Sequence, residues 1–149
     1  MHSPSAYKLI REVLCLSSDY GFYAYDALEA LEPRGDCSDL KLLYRLMVHF
    51  RPESVRVEED GTRLVSTVRM ALSKVKVVDK GSAASFVVVD GNDMPEFEDC
   101  DCLLWLNSSL TQAAQMARRI DCGHVFASPR RTLLVRRPDL TPQMFVLDF

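Results

Sequence analysis

The sequence predicts an α+β protein, and three observations carry that expectation. Between residues 5 and 51 apolar side chains recur at helical spacing in three short stretches. After Pro52 the period drops from 3.6 to 2, and residues 81–149 alternate short apolar runs with one amphipathic helix. The expected organisation is a three-helix plus hairpin unit over residues 1–80, followed over residues 81–149 by a small mixed β-sheet with one crossover helix. The two either stand apart or pack as one domain. A chain of 149 residues, 48% of them hydrophobic, can bury one or two small cores without crosslinks.

The first helix is expected from Ser5 to Leu16, with Ala6, Leu9, Ile10, Val13 and Leu16 on one stripe and Ser17, Ser18 and Gly21 ending it. A second runs from about Phe22 to Leu31, with Ala24, Ala27, Leu28 and Leu31 inward and Pro33 and Gly35 as punctuation. Asp36 or Ser38 caps a third, whose inner positions are Leu40, Leu43, Tyr44, Met47 and Phe50. Pro52 stops it at Arg51. Helices this short do not stand alone and must share a core. Val55 and Val57 then alternate with Arg56 and Glu58, Glu59-Asp60-Gly61 supplies a hairpin turn, and Arg63 to Val68 returns. Three helices followed by such a hairpin make a winged-helix-like unit, which presents a helix and a hairpin to a partner.

Lys74 to Val78 reads as a further strand, and 79–85 as a turn or linker. Phe86 to Val89 is a buried strand, 90–101 an acidic loop, and Cys102 to Leu106 another buried strand. Ser108 or Ser109 caps a helix with Leu110, Ala113, Ala114 and Ala117 inward, and Arg118 and Arg119 suit its C-terminal dipole. Gly123 ends it. His124–Ala127, Thr132–Val135 and Met144–Leu147 complete a sheet of five or six strands. The last strands are joined too tightly for crossovers, so the sheet is expected to be mixed.

Composition narrows the function classes. Five cysteines, Cys15, Cys37, Cys100, Cys102 and Cys122, are odd in number and form no disulfide framework, which points to a reducing compartment, cytoplasmic or nuclear. Lys8, Arg11 and Glu12 interrupt the first apolar stretch, and no run has the length of a membrane span. A net charge of −3 lacks the footprint of a nonspecific nucleic-acid binder, so such contact would need a local patch. One candidate exists. Lys41, Arg45 and His49 recur at i, i+4 and i+8 on the third helix, opposite its apolar stripe, and Arg56 and Arg63 extend that surface through the hairpin. RNA, DNA or an acidic protein surface would fit it, as would plain solvation.

The run from Leu40 to Gly61, LKLLYRLMVHFRPESVRVEEDG, resembles the third helix and wing of LOTUS-type winged helices, found in RNA-regulatory proteins. The resemblance over residues 5–68 implies a regulatory or adaptor module that binds RNA or a partner protein. A subunit of a larger complex is a further reading, because no complete active site is readable in the sequence.

Two constellations in the second half bear on chemistry. Cys100-x-Cys102 and Cys122-x-His124 start two strands and supply four soft ligands of the kind that hold zinc tetrahedrally. Structural zinc favours a two-residue spacer within each pair, however, and buried cysteine is also an ordinary small hydrophobe. Val87 to Asp93, VVVDGND, is similar to the opening strand of NYN/PIN-type ribonucleases, and that resemblance implies Asp90, with Asp93 beside it, as a Mg²⁺ or Mn²⁺ ligand. Metal-dependent phosphodiester hydrolysis needs several converging carboxylates, and beyond the acidic loop only Asp121, Asp139 and Asp148 remain. The expected function is nonenzymatic recognition of RNA or a protein, with no catalytic residues and no cofactor. A metal-dependent nuclease centred on Asp90 is the alternative.

Overall fold

A computed structural model describes residues 4–15, 24–32, 35, 37–58 and 62–149. The chain divides into two compact units, one of residues 1–52 and 60–75, the other of residues 53–59 and 76–149. The division is therefore not a single cut near residue 80. Two short segments of the first eighty residues, 53–59 and 76–80, belong to the sheet unit.

The helical unit contains α1 (Pro4–Leu9), which continues as a π-helical turn over Ile10–Leu14, then α2 (Ala24–Leu31), α3 (Ser38–Phe50) and α4 (Thr62–Ala71). The expected stripe on the first helix is present in Ala6, Leu9 and Val13, all buried, while Leu16 lies outside the described residues. On α2 the buried side chains are Tyr25 and Leu28, and Ala27 faces solvent instead. Tyr25 is inward in place of Ala27, and its ring and hydroxyl both find partners on α3. Helix α3 buries Leu40, Leu42, Leu43, Leu46 and Met47. Cys37 stands at its N-cap without a side-chain capping bond, while Asp36 lies outside the described residues; the helix ends where Arg51 turns left-handed at φ 46°, its N–H reaching Met47 O at 2.9 Å. Pro52 has no N–H with which to continue the ladder.

The expected hairpin is not formed. Residues Arg63 to Val68 lie inside helix α4, which buries Leu64, Thr67 and Val68, and the Glu59-Asp60-Gly61 turn lies outside the described residues. Leu64, Thr67, Val68 and Ala71 satisfy helical spacing as well as the alternation that suggests a strand, and packing against α3 and α2 decides between the two periods. Thr67 fits the helix by donating its hydroxyl to Arg63 O at 2.8 Å. Among its described residues the unit is thus helical, with the expected return strand replaced by α4.

The sheet unit holds seven strands: β1 (Ser54–Val57), β2 (Lys76–Val78), β3 (Phe86–Asp90), β4 (Cys102–Leu106), β5 (His124–Ala127), β6 (Arg131–Val135) and β7 (Gln143–Val146). Their order is β2-β1-β3-β4-β6-β5-β7. All pairings are parallel except those of β6 with β4 and β5, which makes the sheet mixed, as expected. Strand β1 pairs parallel on both sides, with β2 and β3, and so has no antiparallel return partner. Reciprocal serine bonds pin its start: Ser85 N–H donates to Ser54 Oγ at 3.0 Å, and Ser85 Oγ donates to Ser54 O at 3.0 Å.

Helix α5 (Leu110–Arg119) connects β4 to β5, with β6 inserted between those strands in the sheet. Ser109 is its N-cap, in a reciprocal box with Gln112: Gln112 N–H donates to Ser109 Oγ at 3.1 Å and Ser109 N–H to Gln112 Oε1 at 2.9 Å. Its buried stripe runs through Ala113, Met116 and Ile120, whereas Leu110 is exposed. One face of the sheet meets this helix through Val87, Val89, Leu103, Trp105, Val125, Ala127 and Leu134. Gly123, at φ 103°, starts the next strand. A Cβ there would sit 2.3 Å from Val135 O, so only glycine fits.

Candidate functional site

The basic residues singled out by spacing are used within their own units. Lys41 Nζ bonds Glu29 Oε1 at 2.9 Å and lies 5.1 Å from the centre of the Tyr25 ring; the Glu29 bond raises the lysine pKa against the opposing effect of burial. Arg45 donates from Nε to Val13 O at 2.7 Å and from a terminal nitrogen to Tyr25 Oη at 3.0 Å, tying α3 to the π-helical turn and to α2. Arg63 pairs with Glu32. His49 is exposed, edge-on to Phe50 at 4.8 Å. Arg56 belongs to the sheet unit and is buried. Its terminal nitrogen donates to Ser82 O at 2.5 Å, and its Nε lies 2.8 Å from Glu58 Oε1, an ionic contact rather than an aligned hydrogen bond. What spacing assembles as one cationic face is, in the structure, Lys41, Arg45 and Arg63 engaged in the helical unit and Arg56 buried in the other.

The cysteine–histidine quartet is not brought together. Cys102 on β4 and His124 on β5 both stand opposite Val135 of β6, one on each side, which separates them by two strand spacings of roughly 5 Å each. Burial pushes the Cys100 thiol up to about 11, with Asp99 adding to it, and the Cys102 thiol up to about 12, with Asp101 adding to it. His124 packs edge-on against Phe126 and Phe145, at 6.0 and 5.3 Å between ring centres, and burial lowers its pKa. Among the described residues no three His, Cys, Asp or Glu side chains form a metal-holding group.

Asp90 ends β3 beside the end of β4, at the carboxyl ends of parallel strands, where open α/β sheets bind ligands. Here, however, the carboxylate accepts from Asn107 Nδ2 at 2.6 Å, with Asn107 left-handed at φ 59°. Gly91, at φ 145°, accepts from Trp105 Nε1 at 2.8 Å, and Gln112 Nε2 donates to Asn92 O. These bonds latch the end of β3 to β4 and to the start of α5. Asp93 is exposed on the following loop and joins no metal-holding group with Asp90.

The two edges of the sheet differ in kind. Strand β2 is three residues long, with Lys76 in it and Lys74 and Lys80 flanking it, the usual protection of an open edge. Strand β7 has no such protection. From Leu140 to Leu147 there is no charged residue, Val146 is 62% exposed, and Phe145 stacks on Phe126 with 5.2 Å between ring centres. Gln143 N–H reaches Gly123 O at 3.2 Å and Leu147 N–H reaches Ala127 O at 2.7 Å, so the odd-numbered peptide groups face β5. Those of Met144 and Val146 point along the open edge. The sequence marks β7 as a strand, but nothing in its pattern tells an edge from an interior position; the uncharged run after Pro142 was the available signal.

No family model, no curated protein and no solved structure matches the chain. No described helix is long and apolar enough to cross a membrane.

Proposed function

We propose that this chain is a nonenzymatic recognition module, an adaptor or regulatory subunit, that takes a protein partner as an added strand on β7. The observation that carries the reading is the contrast between the edges: one short and guarded by lysines, the other uncharged, with the peptide groups of Met144 and Val146 directed outward. An extended segment laid along β7 would gain main-chain hydrogen bonds for affinity. It would gain side-chain contacts with Met144 and Val146 on one face of the sheet and with Phe145 on the other. A protein partner is favoured over RNA because Lys41, Arg45, Arg56 and Arg63 are already occupied by acidic or carbonyl groups.

The test selects extended peptides from a random display library on the purified chain and repeats binding with Val146→Pro. Proline at an outward-facing edge position removes a donor without breaking the ladder to β5. Selected peptides should protect the Met144 and Val146 amides from hydrogen exchange and lose affinity for the variant. Peptides that bind both forms equally, or a library that yields none, would overturn the reading.

A further inference from the structure

We infer that the strand taken by β7 is β7 of a second copy of this chain, paired antiparallel about a two-fold axis through Phe145. The inference rests on the reading of β7 as the recognition edge, and it names the occupant.

Parity selects the register. Because the outward peptide groups belong to Met144 and Val146, two copies running antiparallel can exchange bonds only between even-numbered residues. With the axis at Phe145, Met144 of each copy meets Val146 of the other, and the four N–H groups and four carbonyls at the junction are all satisfied. Moving the axis to Met144 sets Val146 opposite Pro142, which has no N–H to give. Moving it to Val146 sets Met144 opposite Asp148, a carboxylate against an apolar side chain. Only the axis at Phe145 pairs Met144 with Val146 on both sides, so that every outward N–H within β7 finds a carbonyl and every outward apolar side chain an apolar neighbour.

Side chains and charge agree with that register. On the face toward α5, Met144 lies beside Val146 of the other copy twice over, which covers the most exposed large apolar side chain described, Val146 at 62%. On the opposite face the two Phe145 rings meet at the axis. The Phe126–Phe145 stack then continues into its symmetry mate as a row of four rings. Asp148 falls opposite Pro142, so no like charges are juxtaposed. Because the other edge of each sheet is short and lysine-guarded, pairing closes at two copies and does not propagate.

The experiment is sedimentation equilibrium of the full chain over a wide concentration range, with hydrogen exchange read at the same concentrations. The expected result is a monomer–dimer equilibrium in which the Met144 and Val146 amides gain protection as the dimer forms. Val146→Pro removes two donors per dimer and should weaken association by at least about tenfold, with the far-ultraviolet circular dichroism unchanged. Should that variant fail to fold, Val146→Lys keeps the N–H, places a charge beside Met144 of the mate, and should weaken association as well. A dimer whose Met144 and Val146 amides stay unprotected would overturn the inference, since another surface would hold it. A chain that stays monomeric while library peptides still protect those amides would overturn the second copy alone and leave the edge reading standing. A monomeric chain that also binds no peptide would overturn both.

Discussion

Arg45 sits on the polar side of α3, yet its guanidinium bridges the Val13 carbonyl and the Tyr25 hydroxyl. Spacing alone places it with Lys41 and His49 on an open face, because periodicity reports which side of a helix is apolar and says nothing of what neighbouring helices do with the polar side. Arg45→Met should therefore cost about 1–3 kcal/mol by urea denaturation, since it leaves a carbonyl and a hydroxyl short of a donor. Lys41→Met should cost less than about 1 kcal/mol, because its partner Glu29 is more than half exposed and solvent screens the pair. Equal losses for the two would remove Arg45 from its tethering role. His124 gives a pH-dependent counterpart. Burial first, then Arg137, lower its pKa below the ordinary 6.5, with Asp139 opposing. The unfolded chain thus binds the proton more readily, and stability falls as the pH drops below about 6.5 until the folded imidazole itself titrates. Replacing it in His124→Phe, where it already packs between rings, should narrow the difference in melting temperature between pH 7.5 and pH 5.5 (about one unit either side of that value). An unchanged difference would assign the slope to other groups.

At the scale of the element, what was legible depended on whether one period fitted a segment or two. Strand β4 begins and ends as expected at Cys102 and Leu106, and α3 ends at Phe50 before Pro52, because a continuous apolar run and a proline each admit a single reading. The segment from Arg63 to Val68 admits two, and neighbouring helices chose the one that local alternation did not favour. Helix α5 was found, with Ala113 buried as expected, but Leu110 is exposed and the inward stripe instead takes in Met116 and, just past the helix, Ile120. Its start was narrowed to Ser108 or Ser109, and the capping box settles on Ser109 while Ser108 is buried, bonded to Trp105 O and Thr132. Ser109→Ala should cost about 1 kcal/mol, and the loss should include faster exchange of the Gln112 amide. A loss confined to other amides would mean that the box does not hold the first turn.

For the whole molecule, the division between helices and sheet was visible in composition, but its boundary was not. Residues 53–59 join the sheet because β1 takes parallel partners on both sides, a long-range pairing that no local pattern reports. The same pairing removes Arg56 from the helical unit and dissolves the cationic face on which RNA recognition would rest. With a net charge of −3, and with Lys41, Arg45 and Arg63 of the expected patch already engaged by carboxylates or a carbonyl, that patch offers little counterion release to drive phosphate binding. The chain should show no saturable binding of single-stranded RNA near physiological salt in a filter assay. Lys41→Glu is the probe, since it reverses the charge of α3 while Arg45 keeps its bond to Val13 O. Saturable, salt-dependent binding that Lys41→Glu abolishes would return the basic helix face to the centre of the functional reading. Absence of binding in both forms is the expected outcome.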